Sequence, residues 1–522
     1  MKSEPSLRRS TLSTVIVMTS TFASRLLGFA RVAIIGAVFG ASGNADVLNL
    51  VFNIPNNLRK LLAEGALSSA FIPVLSSTIV RDESGKSSRD VVRSVLTLQF
   101  VILLPVLLLC IIFAQPIVNT ILDFPEISRQ ELAADLFRLL INYLLLISVS
   151  AVLMGTINSH NRFLIPALTP LLFSLSVISS ILLLHRHMGI FSMAVGVLAG
   201  GVLQILFQAP LFQRLGYSFT PFIRGFRNPD FRKIMRQWLP VVAAASIFTV
   251  NQQVAVFFAS GLESGSGSAM TNALTFWQLP FGIFGAAITT VLFPRMSRQA
   301  SSGDIAGLRE TVQYGFRYLL ALLVPSALIM SLLGKDIISV ALQRGEFLPQ
   351  NTALAADVLV GYSWGLFSVA AFNFFQRFYY ARDDFRTPVW TALVTLVLDV
   401  GLSLWLKDTR LGVVGLAVAN SVAFTVGLLL LVYRASLVLA GFSVRRIAVT
   451  CAKVAFTLVP VAAFILLFKK LTGDFWMEGS NWKNLGLVLI GGLGSLGITA
   501  GMYYVLRVEA FQMILRRKSV KP

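Results

Sequence analysis

Long apolar runs separated by short polar connectors occupy most of the chain. A helix that crosses a bilayer needs about 20 mostly apolar residues, and fourteen runs are of that kind. They lie near residues 12–39, 46–78, 92–119, 132–157, 163–184, 190–213, 235–260, 269–297, 311–333, 353–380, 387–406, 412–435, 446–468 and 484–507. The pattern predicts an all-α polytopic membrane protein with 14 transmembrane helices. We expect the first run to be a retained span rather than a cleaved signal peptide, because its apolar pattern continues to Gly40.

Composition and charge agree with a membrane protein and indicate its orientation. Of the 522 residues, 56% are hydrophobic and 13% are charged, whereas a soluble domain has about 25% charged residues. The net charge of +20 is spread over connectors, for example Arg224 with Arg227 and Arg295 with Arg298. We therefore expect contacts with membrane lipids and no nucleic-acid partner. Basic connectors follow the even-numbered spans, so the positive-inside rule predicts that both termini are cytoplasmic.

Three pairs of prolines reveal an internal repeat. Pro73 and Pro294 are 221 residues apart, Pro105 and Pro325 are 220 apart, and Pro166 and Pro388 are 222 apart. The nearly constant separation predicts two pseudo-symmetric six-helix lobes with the same orientation in the membrane, as in transporters built from parallel repeats. The predicted domains are an N-lobe at 1–220, a C-lobe at 221–440, and a segment at 441–522 with spans 13 and 14 and a basic C-terminus.

Three arginines, Arg25, Arg31 and Arg59, fall inside the first two apolar runs. Each costs roughly 2.5–3.5 kcal/mol at a bilayer centre on insertion scales, so it needs water, a counter-charge or an anionic ligand. Arg25 and Arg31 are about 9 Å apart along a helix and about 120° apart around it. Gly28 lies between them and lets a neighbouring helix or a ligand approach closely.

The second run groups polar side chains around Pro55, which favours a bend or break in the helix. These are Asn53, Asn56, Arg59 and Lys60. A bent, polar segment of this kind suits the wall of a cavity within the membrane. We therefore predict that all four side chains bind substrate, together with the arginines of the first run.

Two nearby carboxylates offer a purely structural explanation, an ion-paired core. In this explanation Glu64 pairs with Arg25 or Arg59, and Asp46 pairs with Arg31. The four cations of the two runs exceed these two acids, so the excess favours an anion from outside the protein. Guanidinium groups match a phosphate through paired N–H donors. The predicted ligand is phosphorylated and, because its site lies within the bilayer, amphipathic.

Asp399 is the one acid of span 11, with Ser403 one turn further on. A carboxylate inside the membrane is a candidate proton or ion site. The alternatives are a hydrogen-bonded core aspartate or an ion pair with Arg377. The chain shows no zinc motif, phosphate-binding loop or catalytic constellation, so we expect no metal, no cofactor and no enzyme.

A resemblance to a known family extends over essentially the whole chain. It rests on Ser24–Arg31, Phe39–Ala41, Asp46, Pro55–Arg59, Ala63–Ala66, Ala70–Pro73, Asn158, Asn161–Phe163, Pro166–Ala167, Gly200–Gln204 and Thr387–Val389. These motifs resemble the MurJ (MviN) family, the lipid II flippases of bacterial peptidoglycan synthesis. That family belongs to the multidrug/oligosaccharidyl-lipid/polysaccharide (MOP) exporter superfamily.

The resemblance implies two lobes around a central cavity and alternating access that moves lipid II to the outer leaflet. Lipid II is a disaccharide-pentapeptide linked to undecaprenyl diphosphate. By this resemblance Arg25, Arg31 and Arg59 contact the diphosphate or headgroup, and Asp46 and Glu64 organise the cavity entrance or its salt bridges. Helices 13 and 14 form a groove for the lipid tail. The resemblance also implies a monomer in the bacterial cytoplasmic (inner) membrane.

Two departures from the family pattern leave the coupling ion open. Many members carry an arginine in span 8, where this chain has the uncharged stretch Ala273–Gln278. An acid that some members place in span 7 for sodium is replaced by Ala255, although Asp399 and Ser403 fall where a polar pair of that site is expected. Coupling to sodium, to protons or to the membrane potential is consistent with the sequence.

Two other transport functions fit some of these features. A flippase for another polyprenyl-diphosphate glycan needs the same cations, because the diphosphate is shared. A small-molecule antiporter of the same superfamily fits less well, because an exporter of cationic drugs needs acids rather than arginines in its N-lobe.

Overall fold

The computed structural model describes residues 7–59, 66–82, 84–439, 444–509 and 512, and these form helices and connectors without a strand. The chain divides into two compact units, Met1–Gly261 and Leu262–Pro522. The helices of the first unit are α1 (Leu7–Phe39), α2 (Asn44–Arg59), α3 (Ala66–Arg81), α4 (Lys86–Ile112), α5 (Ala114–Ile121), α6 (Ile127–Leu140), α7 (Tyr143–Ser159), α8 (Leu164–Met188), α9 (Phe191–Arg214) and α10 (Pro229–Ser260). Those of the second unit are α11 (Ser266–Pro280), α12 (Ala287–Ser301), α13 (Ile305–Leu342), α14 (Pro349–Trp364), α15 (Leu366–Ala381), α16 (Arg386–Lys407), α17 (Val413–Val438), α18 (Val444–Thr472) and α19 (Trp482–Val505). The predicted all-α fold is confirmed.

The helices follow the predicted spans. Up to 11 helices or helix pairs of the described residues are long and apolar enough to cross a membrane, if α14 and α15, which meet at a 44° bend, count as one span. The predicted spans 1, 2 and 7 fall on α1, on α2 with α3, and on α10. The chain is a multi-pass membrane protein, and the number of 14 crossings stays a prediction.

The first unit packs α3, α4, α7, α9 and α10 around one apolar core. Phe71 of α3 and Val152 of α7 are fully buried in it. Gly155 admits the ring of Phe71, since a Cβ at this glycine would lie 2.9 Å from the ring. Because α10 packs on α2 and α3, it belongs to the first unit by its contacts. The lobe boundaries at 220 and 440 stay a prediction.

In the second unit, the last two helices pack on α13. Tyr503 of α19 donates its hydroxyl to the carbonyl of Ala321 at 2.6 Å. Lys469 of α18 forms an ion pair with Asp336 at 2.7 Å. Small apolar clusters fill the rest of this contact. Spans 13 and 14 are therefore anchored within the second unit, on its longest helix.

The turns between helices repeat along the chain with the separation that the prolines indicated. Asn161 and Asp383 are 222 residues apart, and each has a φ of 58° at the turn after α7 or α15. Such a φ is uncommon for a residue with a Cβ. Their neighbours form the same hydrogen bonds: the amide of Arg162 donates to the carbonyl of Ile157, and that of Asp384 to the carbonyl of Tyr379.

Three pairs of glycines extend the repeat to other connectors. Gly189 before α9 and Gly412 before α17 have φ and ψ angles of 53° and −131° and of 48° and −122°. Positive φ angles also recur before α2 and α11 and before α4 and α13. The order α1–α9, which we call the first repeat, therefore recurs in α10–α17, which we call the second repeat.

Candidate functional site

A cavity of about 290 Å³ lies within the first unit, between faces of α1, α2, α7, α8 and α9. Its lining residues are Ser24, Gly28, Arg31, Phe52, Asn56, Arg59, Tyr143, Ile147, Ser150, Ala151, Met154, Thr169, Pro170, Phe173, Ser174 and Gln204. Ser24, Gly28 and Arg31 follow the i, i+4, i+7 spacing that places residues on one helix face. Phe52 and the pair Asn56 and Arg59 follow the same spacing on α2. The sequence thus aims one arginine from each helix into the cavity.

The two arginines are held in different ways. Asn56 accepts hydrogen bonds from Nε and Nη2 of Arg59, at 3.2 and 3.0 Å through the same side-chain oxygen. The guanidinium carbon of Arg31 lies 5.0 Å from the centre of the Phe173 ring, within cation–π range. The Tyr143 ring packs on Phe173 at 5.2 Å. These contacts orient two positive groups around one enclosed space.

Other residues of the predicted site lie elsewhere or outside the described residues. Arg25 is exposed and Asn53 is half-buried, and neither lines this cavity. Each is one residue from a lining position, which is about 100° around the helix. Asp46 is 2% exposed in the first turn of α2, where a carboxylate is favoured by the helix dipole. Lys60 and Glu64 are outside the described residues. The helix α2 continues through Pro55 to Arg59, so the proline does not end it.

The neutral wall of the cavity was missed by reasoning from charges. Tyr143, Ser150 and Thr169 sit in strongly apolar helices, and no charge draws attention to them. The i, i+4, i+7 spacing of Tyr143, Ile147 and Ser150 was the available signal. A face with this spacing is more often core than site, so only the packing distinguishes the two.

Glycines bring α9 close enough for Gln204 to reach the cavity. A Cβ at Gly196 would lie 2.8 Å from the Cα of Val177 in α8, and one at Gly200 would lie 3.0 Å from the Phe173 ring. Gln204 and Gln208 continue this spacing of four residues, on the same helix face. The close approach of α8 and α9 therefore places Gln204 in the lining of the cavity, with Gln208 one turn further along α9.

Asp399 and Ser403 are brought together in the second unit, as predicted from their spacing. Both are 5% exposed. Asn420 of α17 donates to one carboxylate oxygen of Asp399 at 2.8 Å, and Ser403 donates to the other at 3.4 Å. Arg377, the alternative partner, stacks its guanidinium carbon 5.3 Å from the centre of the Phe293 ring. Within the described ranges there is no group of three or more His, Cys, Asp or Glu side chains arranged for a metal.

The uncharged stretch of span 8 is packed rather than polar. Ala273 and Phe276 are buried. Trp277 donates its indole N–H to the carbonyl of Tyr362 at 2.9 Å. The segment Phe281–Ala286 then continues the helix with π-helical hydrogen bonds. This region therefore contributes aromatic packing where many relatives, by the resemblance, carry a charge.

A second polar cluster lies at the ends of α7 and α9, outside the predicted spans. His160 Nε2 and the Tyr217 hydroxyl are 2.8 Å apart, and both side chains line a cavity of about 310 Å³ with Asp82 and Arg89. Burial lowers the pKa of His160, and Arg162 lowers it further. Burial also raises the pKa of Tyr217. The neutral forms of both groups are therefore favoured in this cluster.

Comparison with known proteins identifies the family. A family model described as "Lipid II flippase MurJ" matches residues 35–486. A Borreliella burgdorferi protein named "Probable lipid II flippase MurJ" is 33% identical over 511 residues, which cover 98% of this chain and 99% of the relative. This chain belongs to the MurJ family. A Vibrio cholerae protein of the same name is 31% identical over 434 residues, covering 80% of this chain and 81% of the relative.

Solved structures show the same fold. The structure described as "Lipid II flippase MurJ, inward closed conformation" has a TM-score of 0.77 at 24% identity and covers 94% of this chain and 99% of its own. An inward-facing MATE family multidrug transporter of the MOP superfamily has a TM-score of 0.64 at 15% identity and covers 82% of this chain and 98% of its own. The predicted MurJ family is confirmed, and the family is one of flippases rather than enzymes. The MOP superfamily stays a prediction, supported by the shared fold.

Proposed function

We propose that this chain flips lipid II from the cytoplasmic to the outer leaflet of the bacterial cytoplasmic membrane. The observation that carries the proposal is that Arg31 and Arg59, from two different helices, line one cavity with Asn56. The names of the curated relatives support the substrate, since they are called lipid II flippases.

The chemistry of the cavity suits a diphosphate. Two guanidinium groups offer paired N–H donors and two positive charges to a group with at least two negative charges. Asn56 fixes the Arg59 fork, so less side-chain freedom is lost when the ligand binds. A bound diphosphate also offsets the cost of placing two arginines at membrane depth.

The remaining predicted residues take supporting roles in this proposal. Arg25 and Lys60 attract the anionic headgroup toward the cavity, and Asn53, one residue from the lining residue Phe52, adds a polar group beside it. Asp46 and Glu64 are assigned to organising the cavity entrance or its salt bridges, as the resemblance implies. The cavity of about 290 Å³ is at the small end of ligand sites, which hold about 300–1,000 Å³. It therefore receives the diphosphate and its nearest sugar, while the polyprenyl tail stays in lipid.

Transport follows alternating access by a monomer with both termini in the cytoplasm. The groove of spans 13 and 14, which correspond to α18 and α19, holds the lipid tail. We assign the coupling to Asp399 and Ser403, with protons, sodium or the membrane potential as the driving force. The observation in favour is a carboxylate that is nearly fully buried and accepts hydrogen bonds from Asn420 and Ser403. A carboxylate buried at membrane depth is by default a candidate ion or proton site.

Substitution of Asp399 tests the coupling. Asp399→Asn keeps the size and the contact with Asn420 but removes the charge. We expect transport in vesicles to become independent of the imposed ion or pH gradient, with unchanged binding of lipid II. Ser403→Ala keeps the charge and removes only the 3.4 Å hydrogen bond to it, so we expect the gradient dependence to weaken but not to disappear. A gradient dependence of Asp399→Asn equal to wild type would remove Asp399 from the coupling.

Depletion of the protein in its native cell tests the substrate. We expect lipid II to accumulate on the cytoplasmic leaflet, and wild-type protein but not an Arg31→Gln, Arg59→Gln variant to reverse it. Both proteins must insert to the same level, as measured in membrane fractions. Accumulation of a different carrier lipid would assign the protein to another polyprenyl-diphosphate glycan.

A further inference from the structure

Gln204 of α9 lines the same cavity as Arg31 and Arg59, but its side chain is neutral. It is 4% exposed. Its side-chain nitrogen donates to the carbonyl of Thr169 at 3.4 Å, which assigns the amide orientation. Its side-chain oxygen is buried without a hydrogen-bond donor among the described residues. The cavity therefore combines two cationic donor groups with an unsatisfied neutral acceptor.

An unsatisfied buried acceptor is unfavourable, so such groups are rarely kept without a reason. Rotation of the terminal amide is a soft torsion, so a donor that enters the cavity can reach this oxygen. Arg31 is engaged with Phe173 and Arg59 with Asn56, whereas Gln204 lines the same cavity from α9, which packs on α7 and α8. A ligand that satisfies both kinds of group carries an anion next to a hydroxyl or N–H group.

We propose that Gln204 is a specificity residue that binds a hydroxyl or N–H donor of the sugar attached to the diphosphate. The proposal rests on the proposed function and deepens it, because it separates recognition of the diphosphate from recognition of the sugar. The arginines bind any polyprenyl diphosphate. Gln204 discriminates in favour of the glycosylated one, because an acceptor left unpaired penalises a ligand without the sugar.

Two probes that differ in the sugar test the assignment. The full chain is reconstituted in nanodiscs, and the Kd is measured for undecaprenyl diphosphate and for lipid II. Gln204→Leu removes the acceptor at similar volume. We expect it to weaken lipid II binding about tenfold, the effect of one hydrogen bond to a buried group, and to leave undecaprenyl diphosphate binding unchanged. Arg31→Gln should weaken the binding of both lipids.

Gln208→Leu is the matched control. Gln208 is fully buried on the same face one turn further on, but it binds Ser150 at 2.7 Å and does not line the cavity. The selectivity ratio is the Kd for undecaprenyl diphosphate divided by the Kd for lipid II. We expect this ratio in Gln208→Leu to equal that of wild type. If Gln204→Leu fails to assemble, Gln204→Asn, which shortens the side chain by one carbon, replaces it and should show the same fall in the ratio.

The outcomes separate the two claims. The role of Gln204 is overturned if the folded Gln204 variant has the same Kd ratio as wild type, or if wild type binds both lipids with equal affinity. Either result leaves the diphosphate site standing. Absence of binding of either lipid by wild type overturns the proposed function itself. A fall in the ratio in Gln204 variants alone supports the sugar contact.

Discussion

The two repeats have their turns at equivalent positions, but their helix faces carry different side chains. At a separation of 222 residues, Arg31 of the first repeat corresponds to Gln253, and Arg59 corresponds to Phe281. Ser150, which lines the cavity, corresponds to Phe372, which is 3% exposed and packs edge-on against Phe424 at 5.3 Å. One backbone plan thus holds a cationic cavity in the first repeat and aromatic packing in the second.

This difference shows that the repeat specifies where helices turn and which helices meet, while a few side chains specify what the space between them does. Turn geometry depends on glycine or on residues that tolerate a positive φ, and both repeats keep these. Cavity chemistry depends on size and charge at positions such as 150 and 372, and these have diverged. The diphosphate site is therefore expected to be a property of the first repeat.

The largest expected effect comes from the arginines. Arg31→Gln or Arg59→Gln should lower lipid II transport about a hundredfold, because each removes a charge-assisted contact with the diphosphate. The matched change in the second repeat, Gln253→Ala, removes a 3.3 Å contact with the carbonyl of Ile121 and should have little effect on transport. The measurement is lipid II flipping in vesicles at equal protein content. Equal losses in both repeats would contradict an asymmetric site.

Exchange of the side chains at positions 150 and 372 tests whether residue size decides which repeat has a ligand cavity. Ser150→Phe is expected to fill the cavity and lower lipid II binding about tenfold or more, with a cost of about 1–3 kcal/mol in stability from overpacking. Phe372→Ser should leave a void and cost about 3–5 kcal/mol, without loss of binding per folded molecule. Binding and thermal unfolding of the two purified variants distinguish these outcomes. If Ser150→Phe binds lipid II as wild type does, the ligand lies outside this cavity.

The glycines of α9 give a smaller effect. Gly196→Ala should lower the free energy of unfolding by about 1–3 kcal/mol, because the new methyl group meets backbone of α8. The corresponding residue of the second repeat is Ala419, 223 residues further on, and Ala419→Gly should cost only about 0.5–1 kcal/mol. Thermal unfolding in detergent measures both. Tolerance of Gly196→Ala would show that α8 and α9 separate easily.

The smallest expected effect is a pH dependence at the turn after α7. The folded pKa of His160 lies below its usual value of about 6.5, so the unfolded chain binds the proton more readily. Stability is fully present above about pH 6.5 and is lost as the pH falls toward the folded pKa. His160→Gln should flatten the stability profile between pH 5 and 7. Arg382 stands at the matching turn of the second repeat. We expect Arg382→Gln to leave the profile unchanged.

Much of the fold was predictable because apolar length and repeated prolines report on the helix directly. The predicted all-α fold and the family are confirmed, and the described residues of the predicted spans fall on helices or on short breaks between them. Residues 60–65 of span 2 lie outside the described residues. The site was predicted less completely. Arg31, Arg59 and Asn56 line one cavity, whereas Arg25 and Asn53 lie one position away from its lining. A charge in an apolar run signals a need for a partner, but not the direction in which the side chain points.

The sequence by itself determined the spans, the repeat and the presence of costly cations in the first two helices. These depend on local composition and on spacing along the chain. Only the tertiary structure decided that α9 brings Gln204 to the same cavity as Arg59, 145 residues earlier in the chain. It also decided that Phe372 fills the corresponding space in the second repeat. Such contacts depend on how closely helices distant in sequence approach one another, and glycines at the α8–α9 contact set that approach.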